Sequence, residues 1–322
     1  MRNKLFAPVV VYTYDRLIHL KRTIEALRKN HLANHTDLFI VSDGPGNINS
    51  KSKIDKIREY GDSITGFNSV NRIYRDKNLG AFESIRRAEH AVISDYGTII
   101  SMEDDIVTSE NYLDFMNSGL SYFKDVNNIL TISGYCHPIK INNDYDSWMN
   151  MWHCPWGYAT WKNKYLLIDK ENNPYLKIKK DYRANKKILK YGNFVEDVLI
   201  SDFEGKIAAL DARICGEMLL RDWYTVMPSV SKVRNIGCDG SGLHSEATNK
   251  FDVHIDSGLQ RSFSFSNSFD IHSQEFLEYT KFMNGDNFEI WWRKFKRLLS
   301  KSKILRKIYG LIKYKKLMLD ID

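Results

Sequence analysis

The stretch Gly97-Thr98-Ile99-Ile100-Ser101-Met102-Glu103-Asp104-Asp105 decides how this chain is read. Thr98 to Met102 supplies the β-branched and apolar residues of a buried strand, and three carboxylates follow with no spacer. Charges at the end of a hydrophobic strand are costly unless a cation compensates them. A divalent metal is one candidate, because hard cations take oxygen ligands, usually one or two carboxylates together with phosphate oxygens of a substrate. The plain alternative is a solvated turn whose negative charge favours the N-terminus of a following helix.

Working upstream, strand and helix patterns alternate. Phe6 to Tyr12 (FAPVVVY) reads as a buried strand, and Leu17, Leu20, Ile24 and Leu27 recur at the spacing of one helical face. Leu38 to Val41 is a second strand, ending in Ser42-Asp43-Gly44-Pro45, and Ile54, Ile57 and Tyr60 mark a second helix. Val70 to Tyr74 is a third strand, followed by the Asn78-Leu79-Gly80 turn and a helix carrying Phe82, Ile85, Ala88 and Val92. Downstream of the triplet, Ser109 stands where a cap is expected for a helix with Tyr112, Phe115, Met116 and Leu120, and Ile129 to Ser133 closes the series. This alternation predicts an α/β fold, a Rossmann-like doubly wound and mostly parallel sheet with helices on both faces. Ligands of such sheets sit beyond the carboxyl ends of the strands, where Asp43, Asn78 and Asp105 fall. The texture changes after residue 133, with Trp148, Trp152, Trp156 and Trp161 in close succession. The expected division is therefore a first half at 1–133, a second half of the same domain at 134–285, and a tail at 286–322.

The 322 residues are 43% apolar and 13% aromatic, which excludes disorder as the main state. Cys136, Cys154, Cys215 and Cys238 form no C-x-x-C pair and read as reduced cytosolic thiols. Met1 to Tyr12 has only a short apolar run, broken by Pro8 and without a cleavage site, so no signal peptide is expected. No apolar run reaches the roughly 18 residues that would span a bilayer. The net charge of +7 is unevenly spread: residues 290 to 316 hold eleven Lys and Arg and no acid, leaving residues 1–289 near neutral, at about −2. Positive charge confined to one segment argues against a nucleic-acid partner. Trp291, Trp292, Phe295, Leu298, Leu299, Ile304, Leu305, Ile308, Leu311 and Ile312 interleave with those cations at helical spacing. A basic amphipathic helix on an anionic membrane surface is the expectation, against a helix docked on the protein itself or a nucleic-acid-binding tail.

Six segments together resemble a known family. Ala7-Pro8-Val9-Val10-Val11-Tyr12-Thr13-Tyr14-Asp15-Arg16, Ser42-Asp43-Gly44, Asn78-Leu79-Gly80, Glu103-Asp104-Asp105, Trp156-Gly157-Tyr158-Ala159-Thr160-Trp161 and Asn235-Ile236-Gly237-Cys238-Asp239-Gly240-Ser241-Gly242 look like a bacterial glycosyltransferase with the GT-A fold, of the family 2 type. The likeness covers about residues 5 to 245. The triplet departs from the plain Asp-x-Asp pattern and is closer to the Glu-Asp-Asp version of N-acetylglucosaminyltransferase I and its relatives.

The resemblance implies a metal-dependent, inverting glycosyltransferase that moves a sugar from a UDP-sugar to a hydroxyl of a bacterial surface glycan or lipid-linked glycan precursor. Asp105 would hold Mn²⁺ or Mg²⁺ against the diphosphate, with Asp104 near the ribose and Glu103 near the donor sugar. Thr13, Tyr14 and Arg16 would contact the base and phosphate, Asp43 the uracil ring, and Asn78 and Gly80 belong to the neighbouring donor loop. Trp156, Gly157 and Trp161 would lie by the donor sugar and acceptor, and His244, in a glycine-rich loop, would complete the metal shell. An inverting enzyme needs a carboxylate base for the acceptor hydroxyl. Val195-Glu196-Asp197 matches the family's motif, making Asp197 the expected base and Asp211 its competitor. The implied location is cytoplasmic, peripheral on the inner face of the cell membrane. Two other readings stay open: a membrane-associated glycan-binding or scaffold protein without catalysis, and a nucleotidyltransferase that makes nucleotide sugars. The latter lacks its glycine-rich phosphate loop, since Tyr12 to Arg16 contains no glycine.

Overall fold

The computed structural model describes residues 5–241 and 247–285, together with Trp291 and Phe295. The first half alternates as the sequence predicts. It runs β1 (Val9–Thr13), α1 (Leu17–Arg28), β2 (Asp37–Ser42), α2 (Ile48–Ser63), β3 (Ser69–Tyr74), α3 (Ala81–Tyr96), β4 (Thr98–Glu103), β5 (Ile106–Thr108), α4 (Tyr112–Tyr122) and β6 (Ile129–Ser133). Every residue of β1 is buried, as an apolar run between two helical layers should be. Helix α1 turns Leu20, Thr23, Ile24 and Leu27 inward. Helix α2 starts with a reciprocal capping box between Asn47 and Ser50. Ser109 does not cap α4: its hydroxyl donates to Asn111 Oδ1 and its carbonyl accepts the Tyr112 N–H, leaving Asn111 at the N-cap.

The second half continues with β7 (Ser147–Asn150), β8 (Tyr158–Trp161), α5 (Lys162–Tyr165), α6 (Tyr175–Lys180), α7 (Tyr182–Tyr191), α8 (Asn193–Phe203), α9 (Leu210–Arg221), β9 (Tyr224–Pro228), β10 (Val233–Asn235) and α10 (Gln274–Asn284). Its strands complete the sheet begun by the first half, in the order β3-β2-β1-β4-β8-β6-β9-β7. Neighbours β3-β2, β2-β1, β1-β4 and β6-β9 are parallel, whereas β8 runs antiparallel between β4 and β6, and β7 antiparallel to β9. The sheet is thus mostly parallel, with its parallel core in the first half. Strand β8 is built from the Trp156–Trp161 segment, and Gly157 (φ +66°) makes the turn into it; the Gly157 carbonyl accepts the Gly134 N–H at 2.7 Å. A separate ribbon pairs β5 with β10 antiparallel.

No helix among the described residues is long and apolar enough to cross a membrane. All four cysteines are free, with Cys136, Cys154 and Cys215 buried. Of the tail expected to be a basic amphipathic helix, 286–322, only Trp291 and Phe295 are described. Both are helical, and their rings stack at 5.2 Å.

Candidate active site

The parallel register of β1 and β4 sets Tyr12 opposite Glu103, so the residues leaving both strands meet at one sheet edge. There the Asp104 carboxylate accepts the Thr13 hydroxyl at 2.8 Å and Arg16 Nη2 at 2.5 Å, and Asp105 Oδ2 accepts the same Nη2 at 2.8 Å. Thr23 of α1 donates to the Asp104 carbonyl at 2.6 Å, which ties the helix to the turn. Both aspartates are buried. Burial holds the Asp104 carboxyl above its ordinary range, although Arg16 and Thr13 pull it down. Asp105 Oδ1 is buried with no hydrogen-bond partner among the described residues. One guanidinium therefore serves two carboxylates and leaves one buried oxygen unsatisfied.

The β5-β10 ribbon closes over this pair. The Ile236 N–H donates to the Asp105 carbonyl at 2.8 Å, bringing Gly237 against the carboxylate. A Cβ on Gly237 would stand 2.0 Å from Asp105 Oδ2 and 2.9 Å from Arg16 Nη1, so glycine is required by close approach. Asp239 meets His19 of α1 at 3.0 Å. The Asn235–Gly240 segment is thus seated directly beside the acidic triplet.

The other donor-side residues expected from the sequence gather at adjacent strand ends. Asp43, at the end of β2, accepts the backbone N–H groups of Gly44, Leu79 and Gly80 at 2.9 to 3.1 Å. Asn78 donates back to the Gly44 carbonyl at 2.9 Å. A Cβ on Gly44 would approach the Lys77 carbonyl carbon to 2.3 Å, so the two loops touch backbone to backbone. Asp43 joins them; a uracil ring would have to share its carboxylate. The Tyr14 hydroxyl accepts the Gly46 N–H at 3.1 Å, bracing the same loop.

A cavity of about 290 Å³ opens beside the triplet, lined by Glu103, Ser101 and Tyr12 from the first half and by Trp156, Leu210 and Asp211 from the second. Burial, then the charges of Asp105 and Asp104, push the Glu103 carboxyl up to about 8, with Asp211 adding to the effect. Asp211 opens α9 and is reached by solvent, yet protein encloses it on its remaining sides, and that enclosure pushes its carboxyl up. The cavity lining includes a buried carboxylate that the sequence reading missed. Glu89 of α3 accepts the Ser101 hydroxyl at 2.7 Å, the Tyr158 hydroxyl at 2.6 Å and the Tyr165 hydroxyl. Its signal is present in the sequence: Glu89 interrupts the apolar stripe of Ile85 and Val92.

The expected aromatic segment divides. Trp148, Trp152 and Trp161 are buried core, and Trp161 donates its ring N–H to the Leu120 carbonyl at 3.1 Å, whereas Trp156 lines the cavity. Asp197 lies half-buried within α8 and does not line this cavity. His244 lies outside the described residues. Among the described residues, no three His, Cys, Asp or Glu side chains converge to hold a metal. The oxygen-only donors of Asp104 and Asp105, with Oδ1 of Asp105 unsatisfied, are nevertheless the chemistry a hard divalent cation takes.

No family model matches the chain, and no curated protein matches it. Among solved structures, it is similar to the mannosyltransferase PcManGT from Pyrobaculum calidifontis in complex with GDP-Man and Mn²⁺, over 49% of this chain and 44% of that one, at 9% identity and a TM-score of 0.34. S. aureus TarS 1-349 is matched over 71% of this chain and 59% of that one, at 10% identity and a TM-score of 0.39. A second structure of S. aureus TarS is matched over 44% of this chain and 23% of that one, at 10% identity and a TM-score of 0.30. The chain spans less than two thirds of each.

Proposed function

We propose that this chain is a metal-dependent, inverting glycosyltransferase that moves a sugar from a UDP-sugar to a hydroxyl of a bacterial surface glycan or lipid-linked glycan precursor. The observation that carries this reading is a single cavity faced by Glu103, next in chain to the Asp104–Asp105 pair, and by Asp211 from the second half. Donor-side and acceptor-side carboxylates then stand at one reaction space. The nucleotide-sugar half is 1–133 and the acceptor half 134–285. The tail, 286–322, holds the enzyme to an anionic membrane at the cytoplasmic face.

In this reading Asp211, rather than Asp197, takes the proton of the acceptor hydroxyl. The freed oxygen forms the new bond at the anomeric carbon. The bond to the diphosphate oxygen breaks on the opposite face, and its electron pair leaves with the nucleoside diphosphate. A base needs a raised affinity for protons and access to the hydroxyl: the protein packed around Asp211 supports the first, and its exposure at the cavity supports the second. Asp104 and Asp105 would hold Mn²⁺ or Mg²⁺, which supplies charge neutralisation of the departing diphosphate. Arg16, already on those oxygens, adds a cation for phosphate, and Thr13 fixes the Asp104 carboxylate. Asp43 acts chiefly by holding the Gly44 and Leu79–Gly80 amides in place beside the nucleotide. Trp156 offers its face to a pyranose.

Calorimetric titration with UDP, with and without Mn²⁺, tests the reading, followed by a panel of nucleotide sugars assayed for slow donor hydrolysis. Metal-dependent UDP binding is expected; its absence would overturn the enzyme assignment.

A further inference from the structure

A second cavity of about 240 Å³ adjoins the first, and His153, Pro155, Trp156 and Asp211 line both. Asp211 therefore stands at their junction. The second cavity has a different character. Its walls include Val195, Val198, Cys154, Cys215, Phe251 and Met283, and none of its lining residues is Lys or Arg. Burial pushes the Cys154 thiol up to about 12 and raises that of Cys215 as well, so both sulfurs are protonated, soft, apolar surface.

Two imidazoles line this wall, and each keeps one buried ring nitrogen unpartnered among the described residues. His137 and His153 are each more than nine-tenths buried, both line the cavity, and Nδ1 of each lacks a hydrogen-bond partner among the described residues. The imidazoles pack edge-on against aromatic rings, His137 against Tyr135 and Tyr279 at 4.8 Å and His153 against Tyr158 at 4.6 Å. Their surroundings keep them neutral, so each offers a hydrogen bond and no charge. A buried polar atom without a partner is destabilising, and a ligand hydroxyl or amide that reaches it satisfies it on binding. Neutral hydrogen-bonding groups set among aromatic and aliphatic walls suit a carbohydrate ring that also carries an apolar substituent.

We infer that this second cavity is the acceptor subsite, and that it takes an uncharged pyranose bearing a methyl or acetyl group. His137 and His153 bind its polar edge, and Val195, Val198 and the two thiols receive the apolar substituent. An anionic sugar is disfavoured, because no Lys or Arg among the described residues lines the cavity, the nearby Lys250 ammonium sits over the Phe251 ring at 5.6 Å rather than in the wall, and Asp211 repels a carboxylate at the mouth. The inference rests on the transferase reading, whose acceptor hydroxyl must reach Asp211.

The test titrates the full chain, saturated with UDP and Mn²⁺, with methyl N-acetyl-β-glucosaminide, methyl β-glucoside and methyl β-glucuronide, following ligand resonances by saturation-transfer NMR. The N-acetyl glycoside should bind at least about tenfold more tightly than the glucuronide, with the glucoside between them. Val198→Trp, which fills the cavity, should abolish glycoside binding while UDP binding stays within about twofold of the unmodified protein. His137→Phe should weaken the glycoside by roughly tenfold through the lost hydrogen bond. Equal binding of glucuronide and N-acetyl glycoside, or glycoside binding that survives Val198→Trp in a variant that still binds UDP, would overturn the subsite. Failure of the unmodified chain to bind UDP would overturn the transferase reading and this inference with it.

Discussion

Arg16 Nη2 lies 2.8 Å from Asp105 Oδ2 and bonds Asp104 at the same time, so one side chain of the first loop bridges two buried carboxylates at the end of β4 and offsets one of their two charges. A cation in this place is a structural requirement before it is a catalytic one. Removing one partner of such a pair leaves charge uncompensated, at about 3 to 5 kcal/mol when fully buried and less for Arg16, which is partly exposed.

Arg16→Gln should therefore lower the unfolding free energy by roughly 2 kcal/mol in metal-free buffer. Mn²⁺ should restore part of the loss, and raise the variant's melting temperature more than that of the unmodified protein, because a dication can take over the oxygens that Arg16 vacates. The measurement is thermal unfolding with and without Mn²⁺. Equal shifts in both proteins would show that these oxygens are not a cation site.

Gly237→Ala probes the same oxygens from the other side. Its Cβ would overlap Asp105 Oδ2, so either the carboxylate or the β10 segment must move. Overpacking of this kind costs about 1 to 3 kcal/mol, and the displaced carboxylate should weaken metal-dependent UDP binding by about tenfold or more. Unchanged UDP affinity in the variant would separate the glycine segment from the donor site.

The α/β alternation over residues 6–133 is legible in the sequence because β1, β2, β4 and β6 are short, largely buried runs and each helix keeps a single apolar stripe. The second half hides its elements. Trp148, Trp152 and Trp161 are core, yet by type they are indistinguishable from Trp156, which faces the cavity. Strand β10, and β5 in the first half with which it pairs, are three residues each, too short for any periodicity to mark. The triplet, the Asp43 loop and the Asn78–Gly80 turn stand out locally, and the last two meet each other as their strand-end positions imply. Choosing between Asp197 and Asp211 needs tertiary proximity: both are helical carboxylates near apolar residues, and only Asp211 lines the cavity with Glu103.

Acid should weaken the fold through His137 and His153, which burial pushes down to about 3. Between pH 6.5 and 3 the unfolded chain binds protons that the folded imidazoles refuse. Their contribution is complete above pH 6.5 and is lost as pH falls through that window, at up to roughly 1.4 kcal/mol per pH unit for each. The raised carboxyls of Glu103 and Asp211 act in the opposite sense, losing stability as pH rises, so the difference between proteins is the quantity to read. Urea unfolding of the unmodified chain and His153→Phe at pH 7.5, 6.5, 5.5 and 4.5 should give curves that converge in acid. Parallel curves would mean that His153 titrates normally in the fold.

Asp211→Asn distinguishes the two candidate bases. The substitution keeps the size of the side chain, removes its capacity to take a proton, and relieves one of the charges that raise Glu103. Stability should therefore hold or rise slightly. UDP affinity should stay within about twofold, because Asp211 belongs to α9 and not to the Thr13–Arg16 loop or the Asp104–Asp105 turn. Transfer should fall by about 10²-fold or more, as loss of a general base predicts, with the loss in kcat rather than in the KM for donor. Asp197→Asn, on α8 and outside the first cavity, should transfer within a few-fold of the unmodified chain. Donor hydrolysis, in which water replaces the acceptor, should fall less than transfer in Asp211→Asn, since water needs no deprotonation at a fixed acceptor position. The reverse pattern, full transfer by Asp211→Asn and loss in Asp197→Asn, would move the base to α8 and require α8 to approach the triplet when donor is bound.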